Sequence, residues 1–217
     1  MVDKDAVRRA YDEIAEVYAE ERATTGRSVE ILEAFLDSLS DPQRVLDAGC
    51  GHGRPVLTRM AGSTDAVGLD FSRGQLDLAR EAAPAADLLQ GDMTALPLDD
   101  DSVDAVVACW SLIHVPMDDH GRVVGEVARV LRPGGRVLLC EGRGEWDGAN
   151  PDWLDTDVGM EWNMAGEEAT RDHLREAGFR VVDRWLAPDS LEEDPESHGT
   201  LDEEDLPWVF LAGRLEA

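Results

Sequence analysis

The segment Val-Leu-Asp-Ala-Gly-Cys-Gly-His-Gly-Arg-Pro, residues 45 to 55, places Gly49, Gly51 and Gly53 on alternate positions directly after a short apolar run. Glycine tolerates positive φ and lets a bound group approach the main chain without meeting a Cβ. Pro55 suits a first helical position, and the helix expected from about residue 54 would present free N–H donors to an anion. Asp47 enters the same turn and favours a ligand carrying an ammonium group. A dinucleotide-binding turn wants G-x-G-x-x-G, and Arg54 stands where its third glycine would be. Taken alone, the turn is also compatible with a purely structural role. Farther on, Cys-Trp-Ser-Leu-Ile-His, residues 109 to 114, sets Trp110 and His114 behind a second apolar run. An imidazole there has a reference pKa suited to accepting a proton from an oxygen or nitrogen nucleophile, and a lone histidine in such a place is also a common structural residue.

The elements that must position these residues follow from periodicity. Helical spacing covers 3–21, with Val7, Tyr11, Ile14 and Tyr18 on one face, and 28–39, with Val29, Leu32 and Phe35. Strands and helices then alternate: strand 44–48, helix from about 54, strand 65–70, helix 73–82, strands 86–90 and 103–109, helix 118–131, strand 136–141. Continuous apolar runs such as Val-Asp-Ala-Val-Val-Ala-Cys-Trp indicate a parallel sheet covered on both faces, so a doubly wound α/β domain is expected. Residues 142–166 break the alternation with three tryptophans among glycines and acids, the pattern of a lid or binding loop. A helix at 167–177 and strands 179–187 and 208–215 complete the chain, joined by an acidic connection expected to be a solvated hairpin link. The expected division is one domain over 1–217, with a helical cap (1–40), a ligand-binding core (41–141), a lid insertion (142–166) and a closing helix with two strands (167–217).

Forty-seven acidic residues against twenty basic ones give a formal charge of −27, and Lys4 is the single lysine. Such a charge repels itself unless counterions shorten the Debye length to roughly 3 Å, as at about 1 M salt. The acid-rich, lysine-poor balance resembles haloarchaeal proteomes. It also argues against a nucleic-acid partner, since no basic stripe is available to neutralise phosphates. Cys50, Cys109 and Cys140 lack paired spacing, so buried thiols in a reducing compartment are expected, with no metal site. No apolar run approaches membrane-spanning length, so a soluble, cytoplasmic protein without a membrane partner is expected.

Asp47, Gly49, Gly51 and Gly53 fit the form acid-x-G-x-G-x-G. With VGLDFS (67–72), QGDMTALPLDDDSVDAVVA (90–108) and LRPGGRVLL (131–139), the chain resembles the class I S-adenosylmethionine-dependent methyltransferases over about 45 to 140. The resemblance implies a Rossmann-like, seven-stranded, mostly parallel sheet with an antiparallel last strand, and S-adenosylmethionine as cofactor. It assigns Asp70 to the ribose hydroxyls, Asp92 to the adenine amine, and Met93 to the adenine by backbone or packing. Phe71 would pack on the adenine face or belong to the core, and Ser72 caps the next helix. Cys50 and Arg54 in the turn, and Cys109 beyond the fourth strand, complete the implied cofactor set.

The amino-terminal AYDEIAEVYAE is similar to the helix that closes over the cofactor in the quinone-methylating branch. Tyr11 and Tyr18 are therefore either cofactor-covering residues or an amphipathic stripe on the sheet. No N-P-P-Y-like tetrad follows the fourth strand, which points to a small-molecule acceptor. Trp110 would wall that acceptor's site, and Trp146, Trp153, Met160, Trp162 and Met164 would cover it or form a satellite cluster. A monomer or homodimer is expected, and the rival expectations are an NAD(P)-dependent oxidoreductase and a cofactor-binding protein without catalysis.

Overall fold

The apolar runs become strands because their β-branched side chains are buried on both faces of one sheet. In the computed structural model, which describes residues 2–189, 191 and 206–216, they form β1 (Arg44–Ala48), β2 (Asp65–Asp70), β3 (Asp87–Gln90), β4 (Val103–Ala108) and β5 (Leu131–Gly142). A separate antiparallel hairpin follows, β6 (Trp146–Asn150) and β7 (Met160–Met164), and then β8 (Phe179–Ala187) and β9 (Trp208–Leu215). The large sheet has the order β3-β2-β1-β4-β5-β9-β8. Its first five strands are parallel, and β9 runs antiparallel to both neighbours. Strand order reverses between β1 and β4, so a crevice opens at the carboxyl ends of these strands, where open α/β sheets bind ligands.

The helices are α1 (Lys4–Glu13), α2 (Ala15–Glu21), α3 (Arg27–Asp37), α4 (Val56–Met60), α5 (Arg73–Ala82), α6 (His120–Val130) and α7 (Gly166–Glu176). Successive strand residues alternate between two cores. Leu46, Val106 and Leu139 pack with Val123 and Val127 of α6 on one face. Val45, Val107 and Leu138 pack with Phe35, Leu57 and Leu76 on the other. Ser72 caps α5 as expected, its Oγ accepting from the Gln75 N–H at 3.1 Å. Asp12 at the end of α1 completes that cap, its Oδ1 accepting from Ser72 Oγ (2.7 Å) and the Gly74 N–H (3.0 Å). The amino-terminal cap is thus fastened onto the start of α5.

Four expectations need correction. The helix expected over 3–21 is broken at the buried Ile14, whose φ of −102° and ψ of 17° leave helical geometry. The helix expected from 54 starts at Val56: the Arg54–Pro55 bond is cis and Pro55 precedes the helix instead of opening it. This helix, α4, is only five residues long. Strand β5 begins at Leu131, before the expected 136, with a register shift opposite Val103 and Ala105. Residues 142–166 contain the β6–β7 hairpin; β6 is almost wholly solvated and β7 buries only Met160 and Asn163, so no period-two pattern marks them. Most of the acidic link between β8 and β9 lies outside the described residues. Among the described residues, no helix is long and apolar enough to cross a membrane, and the three cysteines are free.

Candidate active site

Asp70 organises the glycine turn. Its Oδ2 accepts from the Gly51 N–H and its Oδ1 from the Ser72 N–H, both at 2.8 Å. The N–H groups of Gly49 and Cys50 donate to the Leu69 carbonyl at 2.7 and 3.0 Å. The turn from β1 is therefore stitched to the end of β2. All three glycines have positive φ, at 84°, 52° and 83°, but they serve different ends. A Cβ on Gly49 would overlap Ser111, and one on Gly53 would press on Ala79 of α5 at 3.3 Å. On Gly51 it would meet nothing nearer than Gln75 Oε1 at 3.5 Å. Gly51 is the one that leaves the main chain bare toward the crevice, while Gly49 and Gly53 permit close packing.

Gly49, Gly51, Asp70, Phe71, Asp92 and Met93 line this crevice, and Cys109, Trp110, His114, Tyr11 and Tyr18 close it from the other side. Asp47, Cys50, Gly53 and Arg54 stand outside the lining: the first three support the turn, and Arg54 is exposed. Asp47 is 2% exposed, and its Oδ2 has no hydrogen-bond partner. Burial, and then the charge of Asp70, push its carboxyl well above the usual range. Burial raises Asp70 to about 6 against the opposing N–H hydrogen bonds. Asp92 is the contrasting case. Although burial works the other way, hydrogen bonds from Lys4 and Thr94 hold it below its ordinary value. Lys4 Nζ lies 2.6 Å from Asp92 Oδ2.

Sequence reasoning missed Lys4, Gln75 and Ser111 as lining residues. Gln75 is 1% exposed with neither its oxygen nor its nitrogen bonded. His52, also buried, has both ring nitrogens without a partner and is lowered to about 4 by burial, then by Arg22 and Arg54. Buried polar groups normally find partners. An unanswered carboxylate oxygen, a carboxamide and an imidazole around a bare turn fit a ligand that carries an ammonium, a carboxylate and hydroxyls, as S-adenosylmethionine does.

A second cavity, about 230 Å³, adjoins the first. Tyr11, Tyr18, Trp110 and His114 line both, and Trp153, Trp162 and Met164 wall the second. Trp146 belongs to its rim, being 50% exposed. Met160, expected in a substrate lid or a satellite cluster, sits in a small separate cluster with Val7, Ile14 and Trp153. Arg22 brings its guanidinium to 3.6 Å from the Trp110 ring centre, a contact sequence reasoning did not find. His114 Nε2 lies 2.9 Å from the Tyr11 hydroxyl and its Nδ1 lies 3.1 Å from the Glu161 carbonyl oxygen. Burial lowers His114 to about 4, so the imidazole is neutral at pH 7.

Residues 46–139 match the model of a methyltransferase domain. The 27-O-demethylrifamycin SV methyltransferase of Amycolatopsis mediterranei is 34% identical over 215 residues, covering 90% of this chain and 70% of that protein. Methyltransferase GfsG of Streptomyces halstedii is 41% identical over 123 residues, covering 53% of this chain and 43% of that protein. The chain spans less than half the length of several curated relatives it matches, 41 to 43%. Among solved structures, the [4+2]-cyclase SpnF superposes with a TM-score of 0.72 at 20% identity, over 97% of this chain and 95% of that one. That likeness concerns the fold. With the glycine turn, the strand order and the rifamycin relative in agreement, the chain belongs to the class I S-adenosylmethionine-dependent methyltransferase family.

Proposed function

We propose that this chain transfers a methyl group from S-adenosylmethionine to a small molecule seated in the aromatic cavity. The observation that carries the reading is a turn whose Gly51 is open to the crevice and tied to Asp70 in its lining, with the unpartnered oxygen of the buried Asp47 behind it. Asp47 would answer the ammonium of the cofactor, Asp70 its ribose hydroxyls, and Asp92 with Met93 its adenine, against Phe71. Cys50, Gly53 and Arg54 shape the turn, and Tyr11, Tyr18 and Cys109 close the site. When bound, the cofactor supplies an electrophilic methyl on a sulfonium. The protein's part is to align the acceptor in line with that methyl and to exclude water, and positioning alone can provide a large share of the rate. His114, neutral and lining both cavities, would take the proton, a role that its lining of both supports.

The rifamycin relative, named for methylation of a small molecule, supports that acceptor class. The tyrosine-bearing amino-terminal helix supports a place near the quinone-methylating branch, and the charge of −27 disfavours nucleic acid. The same charge supports a salt-rich cytoplasm as the working environment, with a monomer or homodimer as the active unit. We assign the cap to 1–40, the cofactor core to 41–141, the acceptor-covering hairpin to 142–166 and the closing unit to 167–217. A cofactor-binding protein without methyl transfer is the second reading, since the crevice accounts for holding the cofactor whether or not a methyl is transferred. Incubation with methyl-labelled S-adenosylmethionine and a cell extract separates the two. A labelled small product supports methyl transfer, and its absence despite cofactor binding supports the second reading.

A further inference from the structure

The Tyr11–His114 pair has a fixed direction. The Glu161 carbonyl can only accept, so the His114 nitrogen facing it, Nδ1, carries the ring hydrogen. Nε2 is then a bare lone pair, and the Tyr11 hydroxyl donates to it at 2.9 Å. Both side chains are more than nine-tenths buried, and both line the two cavities. Having committed its hydrogen to His114, the Tyr11 oxygen can only accept, from Tyr18, with which it also hydrogen-bonds, or from a guest that donates an O–H or N–H.

The cavity sets the rest of the acceptor. An apolar cavity of roughly 150 Å³ takes a benzene ring, so one of about 230 Å³ has room for a larger planar group. Trp110, Trp153 and Trp162 offer indole surfaces as walls. Trp153 and Trp162 meet nearly at right angles, as do Tyr11 and Trp153, so the walls already pack on one another edge to face. Aromatic guests gain from offset or edge contacts with such walls. Burial pushes the Tyr11 hydroxyl well above its ordinary range, so it stays protonated and can pass a proton on only as it receives one.

Resting on the methyltransferase reading above, we propose that the acceptor is a planar hydroxyarene, and that Tyr11 is the catalytic residue that receives its proton and relays a proton to His114. The acceptor oxygen forms the new bond to carbon, and the electron pair of the broken carbon–sulfur bond stays on sulfur. The acceptor's hydrogen moves to the Tyr11 oxygen and the Tyr11 hydrogen to His114 Nε2, leaving an imidazolium that gives its extra proton to water after turnover. A weakly basic imidazole suffices, because the hydroxyl becomes strongly acidic as its oxygen bonds to carbon.

The test is equilibrium dialysis of the full chain, saturated with S-adenosylhomocysteine, against 2-naphthol, naphthalene and trimethylphenylammonium. The relay geometry predicts that 2-naphthol binds about two- to tenfold more tightly than naphthalene, the worth of one hydrogen bond. In Tyr11→Phe that preference disappears while the affinity for naphthalene is kept; a purely structural tyrosine would lower both alike. No saturable binding of any probe, a preference for trimethylphenylammonium, a naphthol preference that survives in Tyr11→Phe, or equal loss of both ligands would each overturn the proposal. Calorimetric titration with S-adenosylhomocysteine runs in parallel. Failure there, with naphthol binding intact, would remove the methyltransferase reading and leave the hydroxyarene site.

Discussion

Lys4 Nζ lies 2.6 Å from Asp92 Oδ2, so the chain's single lysine ties the first turn of the amino-terminal cap to a carboxylate of the crevice. The pair is partly exposed, at 30% and 41%, which limits its worth to about 1 kcal/mol or less. Lys4→Met removes the pair and also adds to an already large negative charge. Thermal unfolding should show a lower midpoint in dilute buffer and a difference that shrinks toward zero at about 1 M salt. A salt-independent difference would mean that Lys4 acts by packing.

Asp47→Asn should separate stability from binding. The buried carboxyl has no partner for Oδ2 and is costly to ionise there, so an amide that cannot ionise should raise the midpoint of the ligand-free protein. The same change should weaken S-adenosylhomocysteine by about 1 to 3 kcal/mol, the value of a hydrogen bond to a charged group. Asp70→Ala should weaken binding by a similar amount and also loosen the turn, since Gly51 and Ser72 both lose their acceptor. Calorimetry and unfolding on the same samples check both, and unchanged affinity in both variants would show that these roles are misplaced.

The glycines of the turn should differ in cost. Gly51→Ala brings the strain of a positive φ, about 1 to 2 kcal/mol, into a space with no close neighbour. Gly49→Ala brings the same strain and an overlap with Ser111, so urea unfolding should show it as clearly the more damaging. Equal losses would contradict the packing role of Gly49.

Glu141 is fully buried, with Oε1 accepting from the Gly142 N–H at 2.8 Å and Oε2 unbonded, 3.6 Å from His120 Nδ1. Burial raises its carboxyl from 4.5 to about 7, and burial lowers His120, so the imidazole does not compensate. A group raised in the folded state stabilises it below the unfolded value, and that contribution is lost as pH rises through the folded one. Glu141→Gln does not titrate. Its stability relative to the natural protein should therefore grow between pH 4.5 and about 7, reaching about 2 to 4 kcal/mol, by denaturant unfolding across that range. A flat difference would mean that Glu141 stays ionised at little cost.

Much of the site was legible because each strand end announces its own turn. Asp47, Gly51, Asp70 and Asp92 each lie within a few residues of a parallel strand's carboxyl end, so sheet topology alone collects them in one crevice. The pairs that close the site were not legible. Tyr11 and His114 are 103 residues apart, and Lys4 and Asp92 are 88 apart. No local period encodes such meetings, which depend on how the cap settles on the sheet. The hairpin at 146–164 escaped notice for a related reason. Its strands lie over the aromatic cavity instead of entering the main sheet, so they lack the alternation that burial on one face imposes. Pro55 misled because proline suits a helix start and a cis turn alike.

The most direct measurement is calorimetric titration of the intact chain with S-adenosylhomocysteine and, separately, with NADH. One molecule of S-adenosylhomocysteine should bind per chain, NADH should give no heat of binding, and Asp47→Asn should weaken the former. Saturable NADH binding in a chain indifferent to S-adenosylhomocysteine would contradict the proposed role of the glycine turn and its carboxylates.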